Sequence, residues 1–208
     1  MRFEQHKQER QALVQHLLAQ EWDVFGTLKF VNGRTIGRQT AHLLLRSYWN
    51  SIDRVFFGKA AERQDMRIPR WCFAHEGSDS ENFHVHFALK APMADVDQMC
   101  CVLNAVWAQH HAQTAPLAKN WIMPVEDRVA VSSYLTREYW RMGSSTFLDT
   151  LSWGKPFTTH MNEYAHSQQT QRILRAASPL WRRQAQQALD DQKAQYEASG
   201  KLHIVERG

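Results

Sequence analysis

The stretch FHVHFALK, residues 83–90, constrains the chain more than any other. Side chains of an extended strand alternate between faces, so Phe83, Val85, Phe87 and Leu89 share one face while His84, His86, Ala88 and Lys90 share the other. The apolar set can cover a layer of helices. The two histidines then stand side by side, roughly 6 to 7 Å apart at the backbone, a spacing from which two imidazoles can converge on one ion. Read alone, the pair is equally well a polar interruption of an ordinary strand.

Neighbouring segments supply the rest of a fold. Residues 4–20 are polar with Leu13, Leu17 and Leu18 at helical spacing. WDVFGTLKF, residues 22–30, is rich in aromatic and β-branched residues and reads as a first strand closed by Asn32-Gly33. Over residues 36–57, Thr40, Leu43, Leu44, Ser47, Tyr48, Ser51, Ile52 and Val55 recur every three to four positions, which predicts an amphipathic helix ended by Gly58. Residues 67–76 and 83–90 read as a hairpin around GSDSEN. Asp95 caps a following helix with Val96, Met99, Cys100, Leu103, Val106, Trp107 and His110 on one stripe. A weaker strand is expected at 121–125, a helix at 126–142, and a polar helix near 179–198.

The order strand, helix, hairpin, helix, strand, helix predicts an α+β fold, a ferredoxin/RRM-like split βαβ with a central antiparallel sheet carrying the His-x-His strand. Residues 1–160 would form that domain and residues 161–208 a C-terminal helical extension. Such folds host many functions, so the site must carry the functional argument.

With 208 residues and 43% apolar composition, including eight Trp and ten Phe, the chain is expected to be globular. The formal charge of +4 and the pI near 9.1 suit a polyanionic partner. No apolar run reaches membrane-spanning length and the N-terminus is too charged for a signal peptide, which points to a cytoplasmic protein without a membrane role. Cys72, Cys100 and Cys101 form neither a disulfide framework nor a metal knuckle.

A hairpin pairing Glu76 with a residue near Asn82 or His84 would bring its carboxylate to the face of His84 and His86, with His75 turned into the core. Two imidazoles and a carboxylate suit Mn²⁺ or Mg²⁺, with Zn²⁺ or Co²⁺ as substitutes in vitro. VSSYLTR, residues 131–137, puts Tyr134 on a helix with Arg137 one turn later. A phenol becomes a useful nucleophile towards phosphate when neighbouring positive charge assists it; the other reading of Tyr134 is a half-buried packing residue. Lys29, Arg34, Arg70 and Lys90 are candidates for phosphate contact, and Tyr139, five residues beyond Tyr134 and off its helical face, for packing or stacking on a base.

FGTLKF, FHVHFAL and VSSYLTR, in that order, resemble the motifs of the HUH endonucleases, most of all the rolling-circle initiators of filamentous phages and small plasmids. The resemblance spans about residues 22–142 and departs from the usual pattern where Arg137 replaces a lysine. It implies a nick-and-join reaction on single-stranded origin DNA: an ion held by Glu76, His84 and His86 orients the scissile phosphate, and Tyr134 attacks it to leave a 5′-phosphotyrosine and a free 3′-hydroxyl. The absence of a GxxxxGK[ST] motif implies that a host helicase, together with a polymerase, completes replication. Two other readings remain open: a non-catalytic RRM-like nucleic-acid-binding module, and a metal-dependent phosphohydrolase that uses water as nucleophile.

Overall fold

Four runs of β-branched and aromatic residues pair into one antiparallel sheet: β1 (Val24–Lys29), β2 (Arg70–His75), β3 (His84–Leu89) and β4 (Trp121–Pro124), in the order β2-β3-β1-β4. The computed structural model describes residues 2–76, 83–92, 94–116 and 119–153, together with 187, 190, 191 and 194. The expected hairpin loop at 77–82 lies outside the described residues, as does the expected C-terminal extension 161–208, those four positions apart. The helices are α1 (Arg2–Leu18), α2 (Arg38–Phe57), α3 (Ala60–Arg63), α4 (Val96–His110), α5 (Arg128–Leu135) and α6 (Tyr139–Met142), followed by 3₁₀ turns at Gly143–Thr146 and Asp149–Leu151. The chain is thus α+β, with its four-stranded antiparallel sheet covered on both faces. Among the described residues no helix is long and apolar enough to cross a membrane.

Alternation along the strands sorts the core into two layers. Val24 and Leu28 of β1, Cys72 and Ala74 of β2, and Val85, Phe87 and Leu89 of β3 pack with α2 and α4 in the larger core. Phe25, Phe73 and Ala88 belong to a second cluster with Leu17 of α1 and Val131 and Leu135 of α5. In the larger core, Gly26 of β1 faces Phe87 across the ladder, and a Cβ there would overlap the Phe87 ring. The FGTLKF strand therefore needs its glycine.

Capping side chains mark the helix starts. Asp95 accepts from the backbone N–H of Gln98, and Asp127 from that of Ala130. At the other end of α2, Gly58 takes a left-handed φ of 56° and donates its N–H to the Arg54 carbonyl. The buried stripe of α2 is centred on Ala41, Leu45, Tyr48, Trp49, Ile52 and Phe56, one position away from part of the expected stripe, and Leu43 is 58% exposed. The helix expected at 126–142 is two helices, because the chain leaves α5 at Thr136 and re-enters at Tyr139.

Arg70, a candidate DNA contact by sequence, is instead buried on the α2/α4 side of the sheet. Its Nη1 donates to Asp53 Oδ1 at 2.8 Å and its Nη2 to Asp53 Oδ2 at 3.0 Å, while Nε donates to the Leu151 carbonyl. The guanidinium also lies over the Trp49 ring at 4.7 Å. Asp53, fully buried, takes further donors from the Ile68 N–H and Arg67 Nη1. A buried pair with every group satisfied is costly to break singly, since the surviving charge stays desolvated. Asp53→Ala is expected to lower the unfolding free energy by about 3 to 5 kcal/mol in urea titrations, whereas Asp53→Leu combined with Arg70→Met costs much less. Equal losses in the single and double variants would contradict this view of the pair.

Candidate functional site

His84 and His86 project from β3 onto the face shared with α1 and α5. That face is covered rather than open to solvent: the relative exposures of His84, His86 and His75 are 8%, 1% and 0%. The ring nitrogens Nε2 of His84 and His86 stand 3.1 Å apart. Two nitrogens each about 2.0 to 2.1 Å from one ion, at adjacent coordination positions, would have close to that separation.

The third member of the cluster is His75, not Glu76. The β2–β3 ladder pairs His75 with His84 and Phe73 with His86, and directly paired residues point to the same face. His75 therefore joins the other two, its ring centroid 4.1 Å from that of His86 and 5.5 Å from that of His84. Potential ligand atoms of the three histidines all lie within 4.8 Å of one another. Glu76, one residue past the end of β2, is on the opposite parity, and its Oε1 accepts from Arg38 Nη1 at 3.0 Å in a part-exposed ion pair. The cluster thus gathers an imidazole where a carboxylate was expected, because the register differs by one residue.

Supporting contacts orient the rings. His86 Nδ1 and Thr27 Oγ1 of the paired β1 residue are 2.7 Å apart, so an Nδ1–H donated to the hydroxyl leaves Nε2 with its lone pair towards His84. His75 Nδ1 accepts from Arg137 Nε at 3.2 Å, and its Nε2 lies 3.3 Å from the Leu135 carbonyl, to which an Nε2–H donates, so a cation could bind His75 only by displacing one of these hydrogen bonds. Thr27 escaped sequence reading; the FGTLKF strand holds it opposite His86, a position visible only once the β1–β3 register is known.

The same surroundings keep the imidazoles of His75 and His86 neutral. His75 is pushed down to about 3, first by burial and then by the positive charge its neighbours His84, Arg137 and Arg141 bring, against the opposing Leu135 carbonyl. His86 is held well below its ordinary value, first by burial, then by His75, His84, Arg137 and Lys29. Neutral imidazole is the form that binds metal. With folded-state values below the unfolded value near 6.5, the unfolded chain takes up protons first, so the stability contributed above pH 6.5 is lost as pH falls towards the folded values. Between pH 7 and pH 5 His75 is expected to remove about 2 kcal/mol from the unfolding free energy, with His86 acting in the same direction. Urea titrations of the protein and of His75→Gln would check this: the variant should lose less stability over that interval, and identical losses would refute it.

Tyr134, in the last turn of α5, lies against this cluster. Its ring centroid is 4.7 Å from His86 at 73°, 6.2 Å from His75, and 5.7 Å from Phe25 edge-on. The side chain is half-buried. Burial raises its phenol above the ordinary value, Arg137 draws it down, and Glu138 adds to the rise. The Arg137 guanidinium sits 4.5 Å from the Tyr134 ring centroid, so one cation touches both Tyr134 and His75.

Other sequence candidates fall at varied distances from the cluster. Lys29 pairs with His84 across the ladder, and its backbone is held by Asn120, Ala115 and Trp107, which sets its side chain at the histidine end of the face. Exposed Arg34 lies in the turn whose Gly33 carbonyl accepts from the Phe83 N–H, next to His84. Lys90 is six residues beyond His84, about 20 Å along an extended chain, and its ammonium serves the Glu21 carbonyl and Asp23. Tyr139 donates its hydroxyl to Glu9 of α1 at 3.3 Å and meets His6 edge-on, so it braces α6 against α1.

The arrangement is a buried three-imidazole cluster, with His75 and His86 held neutral, a phenol and a guanidinium laid against it and an ammonium at its edge. The chain matches no family model, no curated protein and no solved structure.

Proposed function

We propose that the chain is a metal-dependent, site-specific endonuclease and strand transferase of the HUH type, which nicks single-stranded origin DNA through Tyr134 to start rolling-circle replication. The observation that carries this reading is the placement of the Tyr134 ring against His86, which puts a candidate nucleophile beside a candidate ion site. The strand order β2-β3-β1-β4 supports the ferredoxin/RRM-like split βαβ that such a site would occupy.

His75, His84 and His86 fit a divalent cation by their shared face and nitrogen spacing, with His75 giving up one of its ring hydrogen bonds to do so. A cation bound there would act as a Lewis acid towards the non-bridging oxygens of the scissile phosphate. Tyr134 Oη would form the new bond to phosphorus and lose its proton to solvent. The bond from phosphorus to the 3′ oxygen would break, that oxygen would take up a proton, and the 5′ phosphate would remain on Tyr134. Arg137, always protonated, steadies the phenol and offers charge to the phosphate. Because the phosphotyrosine keeps the phosphodiester energy, rejoining would need no ATP.

Replacing the expected carboxylate with a third imidazole changes the preferred ion. An all-nitrogen donor set suits borderline cations such as Co²⁺ and Zn²⁺, is accepted more weakly by Mn²⁺, and serves Mg²⁺ poorly. Labelled single-stranded oligonucleotides covering the cognate origin, incubated with the protein and run on a denaturing gel, should give a slow-migrating adduct with Mn²⁺. That adduct should be at least about tenfold weaker with equimolar Mg²⁺, and EDTA should remove it. Cleavage without an adduct would favour water as nucleophile; binding without cleavage would favour a non-catalytic module.

A further inference from the structure

The last turn of α5 lacks the usual means of ending a helix. It carries no basic residue, and neither Gly nor Asn follows its end at Thr136. Its carbonyls nevertheless have a cationic partner from the other end of the chain. Arg10 of α1 donates from Nη2 to the Ser133 carbonyl and from Nε to the Thr136 carbonyl, both at 3.1 Å. These two carbonyls bracket Tyr134. A single rigid guanidinium therefore spans the segment that carries the phenol, and its charge lies at the negative end of the helix.

Arg10 is itself fixed. Leu13 and Leu17 of α1 pack with Val131, Leu135 and Tyr134 in the smaller core. Glu9 accepts from the Tyr139 hydroxyl, and His6 Nδ1 lies 3.2 Å from the Trp140 carbonyl. Burial lowers the pKa of Arg10, as expected for a guanidinium partly withdrawn from water. On the other flank, the Leu135 carbonyl meets His75. The Tyr134 turn is thus held by the histidine cluster on one flank, by the Thr136 hydroxyl donating to the Ser132 and Ser133 carbonyls, and by two hydrogen bonds from α1 on the other flank.

We infer that Arg10 is a positioning residue for Tyr134, holding the α5 terminus so that the phenol stays in register with the three histidines. The inference rests on the nicking reading, and it gives α1 a role that none of the three recognised motifs contains. Because Arg10 touches neither the histidines nor the face of the Tyr134 ring, its loss should affect placement rather than binding. A small displacement of a reacting group is enough to slow a reaction by orders of magnitude.

The test uses the full chain with Mn²⁺ and origin oligonucleotide, comparing Arg10→Ala and Arg10→Lys with the unaltered protein. Single-turnover adduct formation should fall at least about tenfold in Arg10→Ala, with DNA affinity and Mn²⁺ affinity changed less than about twofold. Arg10→Lys, which keeps the charge and can reach one carbonyl, should recover most of the rate. A second readout needs no activity: ¹⁹F NMR of 3-fluorotyrosine placed at position 134 should give one narrow line in the unaltered protein and a broadened or split line in Arg10→Ala. Should Arg10→Ala fail to fold, Arg10→Gln, with a single amide donor, takes its place in both measurements. Absence of any adduct from the unaltered protein would overturn the nicking reading while the ¹⁹F line still judges the placement. An unchanged line, or a rate within about twofold of the unaltered protein, would overturn the role of Arg10.

Discussion

Tyr134→Phe is expected to bind origin DNA and Mn²⁺ as the unaltered protein does and to form no covalent adduct. Removing a nucleophile and leaving its surroundings intact typically costs four or more orders of magnitude, so the rate should fall by about 10⁴-fold or beyond. The substitution deletes one oxygen and keeps the ring, so the contacts with His86, Phe25 and Arg137 survive. Stability should therefore change little. Tyr139→Phe provides the contrast: its hydroxyl serves Glu9, and its loss should leave the adduct in place. Equal adduct yields from the unaltered protein and Tyr134→Phe would remove Tyr134 from the chemistry.

His86→Ala should be nearly as severe, for a different reason. His86 is the imidazole nearest both His75 and Tyr134, and Thr27 holds its Nδ1. Loss of even a supporting group around a metal ligand costs 10- to 100-fold in affinity, so loss of the ligand itself should weaken Mn²⁺ binding by at least about a hundredfold. Cleavage should fall in step, with single-strand binding retained. Calorimetric titration with Mn²⁺, alongside circular dichroism, would check both points. A folded His86→Ala protein with unchanged Mn²⁺ affinity would contradict the ion site, and a protein that no longer folds would point to a packing role for the ring.

Sequence alternation alone placed the apolar and imidazole sets of β3 on their correct faces, because strand periodicity is a local property. The helix cap at Asp95 was equally accessible, since it depends on a side chain three residues from the N–H that donates to it. What alternation cannot supply is the pairing of strands. Choosing between Glu76 and His75 requires the β2–β3 register, and a shift of one residue exchanges the faces. Volume could have favoured the observed choice: small Cys72 and Ala74 sit with bulky Val85, Phe87 and Leu89 on one face, and bulky Phe73 sits with Ala88 on the other.

Long-range charge was less legible still. Nothing local distinguishes Arg70, buried against Asp53 seventeen positions away, from an arginine on a DNA-binding surface. The same holds for Arg10, which reaches across more than a hundred residues to α5. The break between α5 and α6 carries no Gly or Pro to announce it, and only the packing of α1 across both helices accounts for where it falls. Local chemistry thus singled out Tyr134, His84 and His86, which the fold brings together, and tertiary structure added His75, Thr27 and Arg10 around them.

The central claim is that Tyr134 attacks a phosphate beside the three histidines. Trypsin cleavage after Arg128 and Arg137 would release residues 129–137, VAVSSYLTR, a peptide whose single tyrosine is Tyr134. After reaction with origin oligonucleotide and Mn²⁺, followed by nuclease trimming, tandem mass spectrometry of that peptide should place a 5′-linked nucleotide phosphate on Tyr134. A phosphate found on Tyr139, on a serine or histidine, or on no residue of a protein that has nevertheless cut its DNA would contradict the account.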